Sequence, residues 1–280
     1  MLLVKGHSGF GVELVDELTI RKSAPGTGGE RLKRQIEKQI SFYEHFQQDS
    51  VRTPKILRTV SMRDKFYADM EFIAAKDFVQ FLSEADRRTL DDFVQTVSEF
   101  IRRNLKSCRM ADVSESFLKK LAELKTKKVP ARYLKLAEKL CRAPVLAPVG
   151  PCHGDLTLSN ILFKTDHLYL LDFLDCFVES PLQDIVKLRQ DTHFGWSLRL
   201  YQAEFNWARM QIAFGYLDKQ IDAAFGRQDW YARHYFLFQF VNLMRVLPYC
   251  TGHATRILIL DSLERMFSEF QFQTQKNLIA

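Results

Sequence analysis

The 280-residue chain is predicted to fold as an α+β protein, with a small antiparallel β-sheet lobe holding one helix and a larger, mainly helical lobe. Three observations carry this. Alternating apolar runs crowd the first 73 residues, amphipathic stripes of helical period dominate after residue 76, and one pair of short apolar runs near 160–173 interrupts the helical part. Apolar residues at 46% and charged residues at 26% suit a globular protein with an ordinary core. No apolar run nears the roughly 20 residues that a membrane span needs.

The elements follow in chain order. Residues 1–23 read as a β-meander: "LLVKG" and "GVELVD" flank the glycine-bearing turn "HSGF", and "LTIRKS" follows a tight turn at Asp16 and Glu17. The cluster "APGTGG" at 24–29 breaks strand and helix patterns alike. Leu32, Ile36, Ile40, Tyr43 and Phe46 then recur at spacings of three and four, which predicts a helix. "TPKILRTVSM" and "KFYADMEFI" read as two further strands, the second alternating Phe66, Ala68, Met70 and Phe72 on one face. The expected domains are therefore a five-stranded lobe over 1–73 with its helix after the third strand, a hinge near 71–77, and a helical lobe over 74–280. In the second lobe, "RTLDDFVQTVSEFIRRNL" (88–105) carries Leu90, Val94, Val97, Ile101 and Leu105 on one stripe. Helices also fit 114–126 and 130–142, and 182–275 is almost wholly helical in pattern.

Net charge is +6, much of it in 119–142, which reads as a helical pair with a basic outer face. That stretch lacks the interleaved aromatics that stack on bases, so nucleic acid is not an expected partner. Cysteines 108, 141, 152, 176 and 250 are odd in number, scattered and without a CxxC pair, which predicts reduced thiols in a cytoplasm rather than zinc or a redox dithiol. Cys152 and Cys176 flank an acidic cluster and read as buried bystanders.

That cluster lies in "CHGDLTLSNILFKTDHLYLLDF", residues 152–173. "NILF" and "LYLLDF" are strand candidates joined by the polar turn "KTDH". A hairpin with that apex pairs positions summing to about 332, which sets Asn160 level with Asp172. Opposed residues have Cβ atoms about 4.5–5.5 Å apart, close enough to share one small cation. An amide oxygen and a carboxylate are hard ligands that suit Mg²⁺, with phosphate oxygens and water completing the shell. Asp155, five residues before Asn160, enters the same hairpin and suits a carboxylate that accepts a proton beside a metal-bound phosphate.

"HGDLTLSN" (153–160) followed by "LLDF" (170–173) resembles the Brenner-type motif of the aminoglycoside phosphotransferase and choline kinase superfamily, small-molecule relatives of the protein kinases. Gly154 stands where protein kinases carry Arg, and Leu174 where they carry the last Gly of Asp-Phe-Gly. "ESPLQDI" (179–185) is similar to the "GDPLxDL" stretch of such enzymes. The resemblance implies a bilobal protein-kinase-like fold and an ATP- and Mg²⁺-dependent phosphotransferase with an alcohol group as acceptor. It implies Asp155 as the catalytic base, Asn160 and Asp172 as metal ligands, and His153 and Asp184 as supports, Asp184 bracing the catalytic loop from a helix start. Gly6, Ser8 and Gly9 of "GHSGFG" would lay backbone N–H groups over the phosphates. Lys22 would contact phosphate while Arg21 points to the opposite face. Glu37 would hold Lys22, with Glu44 as the alternative on nearly the same helical face, and Glu71 to Ile73 would offer main-chain groups to adenine. The choice between ATP and GTP stays open.

For the acceptor, Asp175, Glu179, Arg189, Trp196 and Arg245 are candidates. Two acids are too few for a polycation, so a sugar or sugar-like hydroxyl compound is expected. The alternatives are a nucleotide-binding pseudokinase acting as an interaction module, and a choline- or aminoglycoside-type kinase with a cationic acceptor. A protein kinase fits less well, because only twelve residues separate Asp172 from Asp184 and leave no room for an activation segment.

Overall fold

The computed structural model describes residues 4–5, 10–47, 50–250 and 252–279. Strands β1 (Val4–Lys5), β2 (Gly11–Asp16) and β3 (Thr19–Pro25) open the chain, and helix α1 (Thr27–His45) follows. Then come β4 (Val51–Arg52), β5 (Ile56–Ser61) and β6 (Lys65–Glu71), followed by α2 (Phe78–Glu84) and α3 (Arg87–Leu105). The sheet runs β1-β2-β3-β6-β5, antiparallel throughout, so the expected five-stranded antiparallel sheet with one inserted helix is observed, with β6 rather than β5 beside β3.

The "APGTGG" stretch departs from its reading as a plain break. Strand β3 continues to Pro25 and α1 begins at Thr27, inside the cluster. Gly26 makes the corner at φ 52°, a left-handed conformation that glycine adopts without penalty. Gly29 is tolerated in the first turn because α1 lies against the sheet there: a Cβ would stand 3.3 Å from that of Phe66. The apolar stripe of α1, Leu32 and Ile36, closes with Phe10, Ala24, Phe66, Ala68 and Met70 into one buried cluster. Burial of such side chains is worth about 1.5–3 kcal/mol each, which is what holds helix to sheet.

The remaining elements are β7 (Arg109–Asp112), α4 (Ser114–Lys125), α5 (Ala131–Leu140), β8 (Leu146–Val149), β9 (Ile161–Phe163), β10 (Leu168–Leu170), α6 (Pro181–Thr192), α7 (Trp207–Phe225), α8 (Asp229–Val246) and α9 (His253–Ile279). Among the described residues no helix is long and apolar enough to cross a membrane. The β9–β10 hairpin forms as expected, but it does not belong to the helical unit as the sequence order suggested, and β4 joins it as a parallel third strand beside β10. The β7–β8 pair was not foreseen: its partners are 34 or more positions apart, from Asp112 with Leu146 to Arg109 with Val149, and no local signal links them.

The chain forms two compact units whose borders do not fall at residue 73. One holds residues 1–100, 153–175 and 205–210, and the other holds 101–152, 176–204 and 211–280. The hairpin therefore folds into the unit of the five-stranded sheet, tied there by three features. Lys76 and Phe163 exchange backbone hydrogen bonds at 3.1 and 2.8 Å, Thr53 Oγ1 donates to Leu170 O at 2.9 Å, and the rings of Phe81 and Phe163 stack with centroids 4.0 Å apart. In the other unit α6 packs on α8, and every residue of α6 is buried.

Candidate active site

Strand alternation sends Arg21 and Lys22 to opposite faces of β3. Arg21 pairs with Asp69 at 2.7 Å and lies over Tyr67. Lys22, only 4% exposed, lies over the ring of Phe10 and donates from Nζ to Asp172 Oδ1 at 2.8 Å. A sheet residue and a hairpin residue 150 positions later thus meet through opposite charges.

The partner expected for Lys22 is corrected by this pair. Glu37 and Glu44 are both exposed on α1, and neither bonds Lys22. The reason is helical phase: Leu32, Gln35, Ile36, Gln39 and Phe42 form the buried face, and one step of about 100° from Ile36 carries Glu37 away from the sheet. Basic residues of α1 reach the hairpin exit instead. Lys38 Nζ donates to Leu174 O at 2.9 Å, and Arg34 pairs with Asp175 at 2.8 Å.

The loop entering the hairpin is held by its own backbone. His153 is completely buried, and its Nδ1 accepts from the Asp155 N–H at 3.2 Å. That contact assigns the proton to Nε2, which donates to Leu171 O at 2.7 Å. Burial pushes the imidazole down to about 4, despite the raising effect of the Asp155 carboxylate, so the ring is a neutral brace. Gly154, at φ 92°, makes the turn that only glycine takes easily. Asp155 O accepts from the Thr157 N–H at 2.7 Å and from Asn160 Nδ2 at 2.8 Å, and Asn160 Nδ2 also lies 3.2 Å from Asp155 Oδ2.

The hairpin register differs by one from the expected one. Ile161 faces Leu170 and Phe163 faces Leu168, so Asn160 is level with Leu171, whose N–H donates to Asn160 O at 2.9 Å. The four-residue turn is closed by the Lys164 N–H, which donates to His167 O at 3.0 Å. Strand β10 ends at Leu170, and Asp172 leaves the extended path at φ 58°, so alternation no longer sets its direction. A left-handed non-glycine residue is uncommon and concentrates at functional sites.

The donor set suits a hard divalent ion. The amide nitrogen of Asn160 is engaged by Asp155, which leaves Oδ1 as the free acceptor, and Asp172 Oδ2 also has no partner among the described residues. The ammonium of Lys22 already seats positive charge on Asp172. Asn160 and Asp172 would hold Mg²⁺ here, and when bound it would neutralise phosphate charge.

The other expected residues fall as follows. Gly6, Ser8 and Gly9 lie outside the described residues. The N–H groups of Glu71 and Phe72 are taken by Lys55 O and Leu18 O at 3.0 and 2.7 Å, whereas the main chain of Ile73 enters no hydrogen bond among the described residues. Asp184 is fully buried in the first turn of α6, after an N-cap in which Ser180 Oγ accepts from the Leu182 N–H at 3.1 Å. Arg189 is not free to meet an acceptor, a correction to its expected role: it is buried among Asp218, Asp222 and Tyr231. Arg245 bonds Asn242 Oδ1 at 3.0 Å and lies over Phe177, Glu179 accepts from Cys176 N–H and Cys152 Sγ, and Trp196 is half-buried. Phe10, Arg34 and Lys38 were missed, since a basic helix position and a lone aromatic carry no spacing signal of their own.

The sequence pattern of the phosphotransferase enzyme family, APH, matches residues 12–218, a span holding Lys22, Asp155, Asn160 and Asp172. The chain belongs to this family. As a member it is a phosphotransferase. Comparison with curated protein sequences gives no match. Among solved structures, the GDP complex of aminoglycoside 2'-phosphotransferase-IIIa is similar with a TM-score of 0.65 at 15% identity, covering 93% of this chain and 89% of that one. A thermostable aminoglycoside phosphotransferase APH(4)-Ia in complex with ADP and hygromycin B gives 0.57 at 14%, covering 92% and 86%. A glucosamine kinase gives 0.51 at 12%, covering 90% and 74%. At these identities the likeness is one of fold, and it agrees with the expected kinase-like architecture.

Proposed function

We propose that this phosphotransferase moves the γ-phosphate of ATP, with Mg²⁺, to a hydroxyl of a small sugar-like metabolite in the cytoplasm. The observation that carries the reading is the ion pair between buried Lys22 and left-handed Asp172, beside the Asp155–Asn160 contact. Lys22 neutralises phosphate charge, Asp172 and Asn160 offer oxygens to the ion, and Asp155 orients the acceptor hydroxyl and takes its proton. His153 and Gly154 fix the backbone from which Asp155 projects. The main chain of Ile73 suits the adenine edge. The scattered spacing of the five cysteines supports a cytoplasmic setting.

A neutral hydroxylated acceptor is favoured over a polycation because the candidate acids are already engaged, Asp175 by Arg34 and Glu179 by the two cysteines. The test is ATP turnover over a panel of sugars, amino alcohols and aminoglycosides. Asp155→Asn is expected to lose about 10²–10⁴-fold in kcat while nucleotide affinity stays within a few-fold. Wild-type turnover by Asp155→Asn would remove the base from the mechanism, and transfer to aminoglycosides alone would overturn the acceptor class.

A further inference from the structure

The two thiols that the sequence reads as bystanders converge with a carboxylate. Sγ of Cys152, Sγ of Cys176 and one carboxylate oxygen of Glu179 all lie within 4.8 Å of one another. Cys152 Sγ donates to Glu179 Oε2 at 3.2 Å, and the Cys176 N–H donates to Glu179 Oε1 at 2.8 Å. The carboxylate is thereby clamped, with its second oxygen turned to sulfur. Gly150 N–H adds a backbone tie to Glu179 O at 3.0 Å, so the chain entering Cys152 and the chain following Cys176 are already fastened together. Cys152 is buried while Cys176 and Glu179 are half-buried, which leaves a route from solvent.

We propose that Cys152, Cys176 and Glu179 form a site for a thiophilic divalent cation, Zn²⁺ by chemistry. Two thiolates and a carboxylate are a borderline-soft set that excludes Mg²⁺ and Ca²⁺ and suits Zn²⁺, with water in the fourth position. Ligands about 2.0–2.3 Å from one ion stand roughly 3.5–4 Å apart, so a contraction of at most about 1.3 Å assembles the site. Binding releases the proton of each thiol to solvent and forms two Zn–S bonds and one Zn–O bond, without oxidation. The S–H of Cys152 that now points at the carboxylate marks where the ion replaces a proton. Cys152 and Cys176 immediately precede and follow 153–175, the segment that carries Asp155, Asn160 and Asp172, so the ion pins both ends of the catalytic segment.

The test uses the full chain, reduced and stripped with a chelator, then titrated with Co²⁺ and separately with Zn²⁺ against a chromophoric chelator. One ion per chain is expected, with a thiolate-to-Co²⁺ charge-transfer band. Affinity should be unchanged in Cys108→Ser/Cys141→Ser/Cys250→Ser and fall at least tenfold in Glu179→Gln. In the wild type, Zn²⁺ should protect Cys152 and Cys176 from alkylation, read by mass spectrometry, a measurement that needs no variant to fold. Absence of the band, protection of other cysteines, or equal alkylation with and without Zn²⁺ would overturn the proposal. Because these readouts are independent of phosphate transfer, failure here leaves the kinase reading standing.

Discussion

His153 shows how a single buried residue can organise a loop, here the one that carries Asp155. Its Nδ1 holds the Asp155 N–H in its own loop, its Nε2 reaches Leu171 just past the end of β10, and its ring packs on Phe173 with centroids 4.4 Å apart. Because the folded state holds the imidazole near 4 and the unfolded chain returns it to 6.5, the unfolded state binds more protons between those values. Stability from the neutral ring is complete above about pH 6.5 and is lost as pH falls toward 4. The loss amounts to about 3 kcal/mol at full development. Urea unfolding of wild type and His153→Gln at pH 7.5 and 5 reads it directly: wild type should lose more stability across this step than the variant. Parallel pH dependence in both would mean that His153 is solvated or charged when folded.

At the scale of elements, the short β9–β10 hairpin is steadied by a small aromatic cluster that its own Phe163 forms with Phe81 and Phe93. Phe163, 4% exposed, stacks on Phe81 and lies 5.5 Å from Phe93 between centroids. Phe163→Ala should destabilise by about 3–5 kcal/mol, the range for deleting a buried phenyl ring, and lower kcat as the Asp155–Asn160 geometry loosens. Calorimetry and turnover under saturating nucleotide would measure both, and a change under 1 kcal/mol would show the cluster to be redundant. Helix α1 makes a complementary point. Its i,i+3/i+4 stripe was legible and told which face is buried, and the same stripe already placed Glu37 outward; the expected pairing with Lys22 came from resemblance and ran against the phase. The signal that would have found this was present in Leu32 and Ile36.

At the largest scale, the helical unit is held by an ion network centred on buried Arg189. Arg189 donates to Asp218 at 2.8 and 3.0 Å, to Asp222 at 2.5 Å and to Tyr231 Oη at 2.6 Å, with its guanidinium over Tyr235. Burial alone would raise Asp218, yet hydrogen bonds from His193 and Arg189 hold it at about 2, so this support survives until strongly acid pH. Removing the cation leaves buried carboxylate charge uncompensated, a loss of about 3–5 kcal/mol. Arg189→Met should show that loss in chemical denaturation, and the double variant Arg189→Met/Asp218→Leu should recover part of it. A single variant within 1 kcal/mol of wild type would mean that solvent, not Arg189, compensates Asp218.

By itself the sequence determined the order of most strands and helices and pointed to Lys22, Asp155, Asn160 and Asp172 as candidates, because period, turn chemistry and motif spacing are local properties. Only the tertiary structure decided that Lys22 binds Asp172 instead of Glu37, that Arg189 serves an internal ion network, that Asp172 turns left-handed past a register one residue shorter than expected, and that Cys152, Cys176 and Glu179 converge. Each of these joins side chains through space, where burial and opposite charge select partners that no spacing along the chain encodes.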